Sequence, residues 1–240
     1  MDSKVLVMIP AYNEEKTIGE VAEGVRKCYP DFEVLVINDG SEDKTEVQAK
    51  KSGVNVITLP FHSGGTSAVL TGYIVALRYG YNYLVKMDGD GQHKPEDVKR
   101  VLQPVIANDA DVCVGSRYLT NTTKIEDDSI VKIGGRAFSS AVVSSIVKNV
   151  DVTDTTSGIR AWNRRALHAL THTYLNERML PDDSVLWLVE TIAASKKRLR
   201  IKEIPIKVLP RMYGKSKSYS LMKMIRYPIR LIKLLMEVMR

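Results

Sequence analysis

The stretch Tyr83-Leu84-Val85-Lys86-Met87-Asp88-Gly89-Asp90-Gly91-Gln92-His93 joins an apolar run to two carboxylates. The run Tyr83–Met87 predicts a buried strand, and Asp88 and Asp90 follow where this strand ends. Hard cations such as Mg²⁺ or Mn²⁺ prefer oxygen ligands, and a site with few carboxylates leaves room for substrate phosphates. The intervening glycine lets the backbone approach a diphosphate closely. Taken alone, the stretch is equally consistent with a simple acidic turn, because Asp and Gly dominate turns.

Four further runs rich in β-branched residues precede polar segments in the same way. They predict strands at Val5–Ile9, Phe32–Asn38, Val54–Thr58 and Asp111–Gly115, with amphipathic stretches between them. This alternation is typical of an α/β fold, a mostly parallel sheet flanked by helices. Ligands bind such sheets at the carboxyl ends of the strands, so the residues that follow the strands form the candidate site. They are Pro10 to Glu14, Asp39 to Ser41, His62 to Gly65, Asp88 to Asp90, and Ser116 with Arg117.

The alternation weakens in the second half of the chain, which contains no internal repeat and no low-complexity linker. One compact domain over residues 1–217 is therefore the expectation. The elements predicted there are a polar, mobile loop over 120–129, a helix over about 131–150, a turn-rich segment over 151–157, a short run at Gly158–Trp162 and a helix from Ser184 toward Lys196.

Composition excludes several classes of protein. Of the 240 residues, 44% are hydrophobic and 26% are charged, so neither a disordered nor a fibrous chain is expected. Cys28 and Cys113 both lie in segments predicted as buried helix or strand, which favours a reducing compartment and excludes a cysteine-based metal site. The apolar run after Lys4 is too short for a secretory signal, and no stretch has the length of a membrane-spanning helix.

Residues 218–240 are predicted to form an amphipathic helix of their own. From Lys196 to Arg240 there are 14 Lys or Arg and two Glu, a net charge of +12, which leaves −5 for the rest of a chain whose total is +7. A cationic stripe beside a wide apolar face is typical of a helix that lies on an anionic membrane surface. The alternative is that the apolar face packs against the protein's own core or a second subunit. Nucleic acid is not expected as a partner, because aromatic interleaving and recognition motifs are both missing.

Four motifs, each after a predicted strand, resemble glycosyltransferase family 2. They are Pro10 to Glu15, Asn38 to Thr45, Asp88 to Asp97 and Gly115 to Arg117. Later motifs resemble the polyprenol-phosphate branch of that family, which includes dolichol-phosphate mannosyltransferases; they are Asp154 to Ala161, Glu190, Glu203 to Ile206 and Arg211 to Lys217. The resemblance implies a GT-A (Rossmann-like) fold and an inverting, metal-dependent transfer from a nucleotide sugar. Many such enzymes continue into membrane-spanning helices beyond the position where this chain ends.

The resemblance also implies the donor side of the site. The Asp39 carboxylate would accept hydrogen bonds from the base or ribose, although capping of the next helix is the structural alternative. The positions that match donor-binding residues are Pro10, Tyr12, Glu14, Asp39, Asp88, Arg211 and Lys217. Arg211 is also assigned to catalysis, together with Asp90 and Arg117.

Asp88, Asp90 and Gln92 match the family's metal site, for Mn²⁺ or Mg²⁺. Asp90 would ligate the ion directly, Asp88 would lie between metal and ribose, and Gln92 would contribute its amide oxygen. The ion would neutralise the departing diphosphate as a Lewis acid. We expect His93 to be a structural loop residue rather than a ligand.

Arg117, Arg136 and Ser139 match acceptor-binding positions. A guanidinium fork suits phosphate oxygens, whereas a single arginine is usually a solvated surface group, and Ser139 could equally be a small packing residue on a helix. A lipid phosphate already carries negative charge and needs no strong general base. A hydroxyl acceptor would require a base within hydrogen-bond reach. Sequence spacing leaves the two acceptors open.

The expected enzyme therefore uses a polyprenyl or dolichyl phosphate as acceptor, with a soluble or polysaccharide hydroxyl as the alternative. Mannose from GDP-mannose is the favoured donor sugar and glucose from UDP-glucose the next. The expected location is peripheral, on the cytoplasmic face of a membrane. The role of Glu190 stays open, because it is either a buried functional carboxylate or half of an ion pair. Asp182 and Asp183 are interpreted as N-capping residues ahead of Ser184.

Overall fold

A computed structural model describes residues 4–119, 152–176, 183, 186–210 and 213. These residues contain a sheet of seven strands in the order β3-β2-β1-β4-β6-β5-β7. The strands are β1 Val5–Ala11, β2 Glu33–Asn38, β3 Asn55–Thr58, β4 Tyr83–Lys86, β5 Val112–Ser116, β6 Arg160–Asn163 and β7 Ile201–Pro205. Every described strand except β6 runs in the same direction, and β6 pairs antiparallel with both β4 and β5. The predicted α/β class with a mostly parallel sheet is confirmed.

Helices cover both faces of the sheet. Those in the described residues are α1 Ile18–Cys28, α2 Thr45–Lys51, α3 Gly65–Arg78, α4 Asp97–Ile106, α5 Arg164–Asn176 and α6 Leu186–Lys196. One apolar cluster packs α3, α5 and α6 against strand residues such as Leu6 and Met8, and a second packs α1, α2 and α4 against Val7 and Ile9. Successive β1 residues therefore face opposite layers, as the two-residue period of a strand requires.

The predicted strands agree with the observed ones to within two residues at either end. The run predicted at Gly158–Trp162 is β6, whereas α5 and β7 were not predicted. Cys28 was wrongly predicted as buried: it is exposed, because α1 ends at this residue, beyond its last buried side chain, Val25. Cys113 is buried as expected.

Several predictions lie outside the described residues. They are the loop over 120–129, the helix over 131–150, the amphipathic segment 218–240, and the site residues Arg136, Ser139, Arg211 and Lys217. In the part of the chain that the structure describes, no helix is both long and apolar enough to cross a membrane.

A buried carboxylate ties the amino-terminal end of β5 to β7 and β6. Asp111 is 1% exposed, and its Oδ2 accepts hydrogen bonds from the backbone N of Arg200 (2.9 Å) and from Arg200 Nε (3.2 Å). Asn163 Nδ2 donates to Oδ1 at 2.9 Å. Burial alone would raise the pKa of Asp111, but the bonds from Arg200 and Asn163 outweigh it and lower the pKa from 3.8 to about 2.

We expect Asp111→Asn to destabilise the protein near neutral pH. Because the folded-state pKa lies below the unfolded value, the ionised carboxylate contributes stability above about pH 4 and loses it as the pH falls toward 2. The shift corresponds to about 2 kcal/mol. Denaturant unfolding of both proteins from pH 6 to pH 2 measures this difference. Asp109→Asn, at a side chain that is 57% exposed, is the matched control. A wild-type advantage that stays constant down to pH 2 would contradict the assignment.

Candidate active site

The residues that follow the strands meet at one edge of the sheet. β1, β2, β4 and β5 all end there, and β6 begins there because it runs the opposite way. The turn before β6, residues 154–158, therefore reaches the same edge as the acidic stretch after β4. This arrangement brings together the donor, metal and acceptor positions that lie within the described residues.

Asp88 is the most open carboxylate of the acidic stretch. Its side chain is 39% exposed, whereas the side chain of Lys86, which donates a hydrogen bond to Asp88 Oδ1, is only 4% exposed. Gly158 lies against the other oxygen: a Cβ atom on Gly158 would stand 1.7 Å from Asp88 Oδ2. A side chain at position 158 would therefore displace the carboxylate.

Asp90 and Gln92 form a tight turn beside Asp88. Asp90 is buried, and its Oδ1 accepts a hydrogen bond from the backbone N of Gln92 at 3.1 Å. Gln92 is held in turn by Leu209: Gln92 Nε2 donates to the Leu209 carbonyl (3.2 Å), and Leu209 N donates to the Gln92 carbonyl (2.8 Å). With its amide nitrogen held by Leu209, the Gln92 side chain has a defined orientation.

His93 is a buried loop residue, as expected. Its Nε2 lies 3.9 Å from Asp88 Oδ2, and burial lowers its pKa, so that the imidazole is neutral at pH 7. His93 Nδ1 is buried without a hydrogen-bond partner among the described residues. The charges of Asp88 and Arg117 act in opposite directions on the pKa of this ring.

Asp39 holds the loop that leads into α3. Ser63 N donates to Asp39 Oδ1 (2.8 Å), Gly64 N donates to Oδ2 (2.9 Å), and His62 Nδ1 lies 2.7 Å from Oδ2. The structural alternative, capping of the next helix, is wrong as stated. The carboxylate binds the amides before α3 rather than those of α2. Gly40, at φ +64°, lies against the backbone of Phe61 and His62, where a Cβ would not fit.

Tyr12 and Glu14 extend this side of the site after β1. The Tyr12 ring stacks on the His62 ring with centroids 3.7 Å apart. The backbone N of Glu14 donates to Thr45 Oγ1 at 2.8 Å, which joins the first loop to the start of α2. Pro10, within β1, pairs in register with Ile37 of β2. The positions assigned to the nucleoside are therefore neighbours in space, next to Asp39.

Asp183 caps α3 from a distant part of the chain, since its Oδ1 accepts a hydrogen bond from the backbone N of Thr66 at 2.8 Å. Its predicted role as a cap of the helix that follows it involves residues 184 and 185, which lie outside the described residues. An acidic side chain at this end of a helix is stabilised by the unsatisfied N–H groups there.

Arg117 is part of a buried ion pair after β5. Its Nε and Nη2 each lie 2.7 Å from a different oxygen of Asp154, and Nη2 also donates to Thr156 Oγ1 at 2.6 Å. Burial alone would raise the pKa of Asp154, but the Arg117 guanidinium outweighs burial and holds it below its ordinary value. Glu203 supports the pair from β7 by accepting from the backbone N of Thr153 (2.9 Å) and of Asp154 (2.8 Å).

Glu190 is half of a buried ion pair, one of its two predicted alternatives. Arg160 Nη1 donates to Glu190 Oε1 at 3.2 Å, Trp162 Nε1 donates to the same oxygen at 3.2 Å, and Tyr73 donates to Oε2. All four side chains are at most 1% exposed. Glu190 therefore stabilises the contact between α6 and the sheet.

Sequence reasoning missed Lys86, the contacts of His62 with Asp39 and Tyr12, and the role of Asp154 as the partner of Arg117. Lys86 carried a signal, because a lysine inside an apolar run predicted as a buried strand requires a partner. Within the described ranges, no group of three or more His, Cys, Asp or Glu side chains is arranged to hold a metal ion. The predicted metal site uses Asp88, Asp90 and the amide of Gln92, a set with two carboxylates.

Comparison with known proteins gives a family match over most of the chain. Residues 6–170 match the protein-family model described as Glycosyl transferase family 2. A UDP-N-acetylglucosamine–dolichyl-phosphate N-acetylglucosaminyltransferase of Methanococcus voltae is 29% identical over 253 residues, which cover 98% of this chain and 97% of the relative. A polyprenol monophosphomannose synthase of Mycolicibacterium smegmatis is 30% identical over 220 residues, which cover 89% and 80%.

A solved structure shares the fold. The glucosyl-3-phosphoglycerate synthase of Mycobacterium tuberculosis, crystallised with Mn²⁺, uridine diphosphate and phosphoglyceric acid, superposes with a TM-score of 0.71. The superposition covers 96% of this chain and 78% of that protein, at 18% sequence identity. At this identity the likeness concerns the fold, and it supports the GT-A architecture of the sheet described above.

Proposed function

Because this chain belongs to glycosyltransferase family 2, we propose that it transfers a sugar from a nucleotide-sugar donor to a polyprenyl or dolichyl phosphate, with inversion at the anomeric carbon. The observation that carries the proposal is the open carboxylate of Asp88 beside Asp90 and Gln92, at the edge where the strands end. The names of the relatives above support a lipid-phosphate acceptor.

The donor side would use the acidic stretch and the loops after β1 and β2. Asp88, Asp90 and Gln92 offer oxygen ligands only, a set that suits Mn²⁺ or Mg²⁺. A bound ion would supply positive charge against the diphosphate. Pro10, Tyr12, Glu14 and Asp39 would surround the nucleoside. Arg211 and Lys217, outside the described residues, complete the proposed donor side.

The acceptor side would lie at Arg117, with Arg136 and Ser139 from the part of the chain that is not described. Asp154 and Thr156 hold the Arg117 guanidinium in one orientation, which reduces the ordering cost of binding a phosphate beside it. An acceptor phosphate brought there would itself be the nucleophile. Orientation, and charge neutralisation by Arg117, Arg211 and a cation held by Asp90, would then provide the catalysis.

The donor sugar is proposed to be mannose from GDP-mannose, with glucose from UDP-glucose as the second candidate. A relative named polyprenol monophosphomannose synthase supports the first. Transfer to a soluble or polysaccharide hydroxyl is the competing function, and it would need a general base near the acceptor.

We expect Asp90→Asn to weaken Mn²⁺-dependent binding of the donor by at least about tenfold, because one oxygen ligand loses its charge. Calorimetric titration with GDP-mannose and UDP-glucose, with and without Mn²⁺, measures the effect. The more tightly bound donor also identifies the nucleotide. Asp109→Asn, at an exposed carboxylate, is the control. Unchanged metal dependence in Asp90→Asn would remove Asp90 from the metal site.

Arg117→Ala is expected to reduce transfer to a polyprenyl phosphate on the order of 100-fold, because the acceptor phosphate loses a preorganised guanidinium that would form hydrogen bonds with it. Donor affinity should change much less. Steady-state kinetics on the lipid acceptor and donor titrations separate the two effects, with Arg78→Ala, at an exposed residue of α3, as the control. Equal losses of affinity and transfer would place Arg117 on the donor side, and transfer only to a soluble sugar would favour the competing function.

The segment 218–240 is proposed to attach the enzyme to the cytoplasmic face of an anionic membrane. Each cation near such a surface contributes about 1 kcal/mol before screening by salt. Co-sedimentation with vesicles containing phosphatidylserine should show binding that weakens with salt and disappears when 218–240 is deleted. If the intact chain ignores the vesicles and the deletion unfolds the protein, the segment belongs to the core.

A further inference from the structure

Lys86 is a charged residue in an otherwise apolar strand. β4 places Leu84 and Lys86 on one face of the sheet, and Val85 packs in the opposite layer. The face that carries Lys86 is covered by α6, and the Trp187 ring centroid lies 4.7 Å from Lys86 Nζ. A buried ammonium is costly unless a carboxylate and hydrogen bonds compensate for its lost hydration.

A second buried cation lies beside Lys86 on the same face. Arg160 of β6 pairs in register with Lys86, and its guanidinium carbon also lies 4.7 Å from the Trp187 ring centroid. Arg160 is matched by the buried Glu190. The carboxylate that matches Lys86 is Asp88, which stands at the open edge of the sheet.

This pairing is asymmetric. The Arg160–Glu190 pair is 1% exposed on both sides, as expected of a pair that holds a helix to a sheet. In the Lys86–Asp88 pair the cation is buried and the carboxylate is 39% exposed. Lys86 therefore lies in the core and holds the Asp88 side chain at the edge of the sheet, where the nucleotide-sugar donor would bind.

Gly158 leaves room for the other oxygen of the same carboxylate. Lys86 holds Oδ1, and Oδ2 occupies the space that a side chain at position 158 would need. One oxygen is thus held by a hydrogen bond, and the other lies in space that only a glycine at position 158 leaves open. Because folding already fixes the orientation of the Asp88 side chain, its conformational entropy is not lost again when a cation binds.

We infer that Lys86 is a positioning residue for the nucleotide site, which together with Gly158 presents the Asp88 carboxylate in one orientation before the donor binds. The inference rests on the proposed function, in which Asp88 lies between a divalent cation and the ribose. Lys86 acts through Asp88 and touches neither reactant in this assignment. Its contribution is expressed in metal-dependent affinity.

The test measures the affinities of GDP and UDP by calorimetry, with and without Mn²⁺. The readout is the ratio of the two dissociation constants, here called the Mn²⁺ enhancement. Lys86→Met, which replaces the ammonium with an apolar side chain, should reduce the enhancement about tenfold, the usual effect of removing a group that orients a ligand. Lys202→Met, at a half-exposed strand lysine, should leave it unchanged. A purely structural role would lower stability without altering this ratio.

A double-mutant cycle tests whether Lys86 acts through Asp88. In an Asp88→Asn background, Lys86→Met should cause no further loss of enhancement. Gly158→Ala provides a second route, since its methyl group displaces the carboxylate, and Gly19→Ala, where a Cβ meets Gln48 at an ordinary 3.5 Å, is its control. Gly158→Ala should also reduce the enhancement. It decides the question if Lys86→Met does not fold, as judged by circular dichroism.

The outcomes separate the two proposals. Full enhancement in Lys86→Met, or in Gly158→Ala when Lys86→Met is unfolded, overturns the inference and leaves the proposed function standing. The inference is also overturned if Lys86→Met reduces the Mn²⁺ enhancement by the same factor in the Asp88→Asn background as in the wild-type protein. If the wild-type protein shows no Mn²⁺ enhancement with either nucleotide, the proposed metal-dependent function itself is overturned.

Discussion

The antiparallel placement of β6 between β4 and β5 is the constraint on which the candidate site depends. A strand parallel to its neighbours would have its preceding residues at the opposite edge of the sheet. Since β6 runs the other way, the turn before it reaches the carboxyl ends of β4 and β5. Asp154 thereby meets Arg117, and Gly158 meets Asp88. The reversed direction of β6 thus brings together the residues that we propose bind the donor and those that we propose bind the acceptor.

The same strand brings two cations into the core. The register of β4 and β6 sets Lys86 beside Arg160, an arrangement that would be strongly unfavourable without a carboxylate for each. Glu190 of α6 matches Arg160, and Asp88 matches Lys86. Trp187 of α6 lies against both cations. Helix α6 is consequently linked to the acidic stretch through charge as well as through apolar packing.

The sequence predicted the strands well because a buried parallel strand is a short β-branched run that ends in polar residues. It predicted which loops converge, because parallel strands place their carboxyl ends together. It could not predict partners that lie far apart along the chain. Capping of the next helix was the structural alternative for Asp39 and the interpretation of Asp183, yet both carboxylates bind backbone amides at the start of α3 or just before it. Only the packing of distant loops brings these groups together. The exposure of Cys28 likewise depends on where α1 ends.

Recognition of the family came from motifs at the strand ends, and the match over residues 6–170 confirms it. Those motifs do not distinguish between carboxylates that hold the loops and a carboxylate that meets a ligand. The side chains of Asp39 and Asp154 are 4% and 0% exposed, and each is held by backbone amides or a guanidinium. Asp88 is 39% exposed and is held from the core by a lysine. The fold uses the first two to build the edge of the sheet and leaves the third accessible to solvent, and therefore accessible to the cation and nucleotide that we propose bind there.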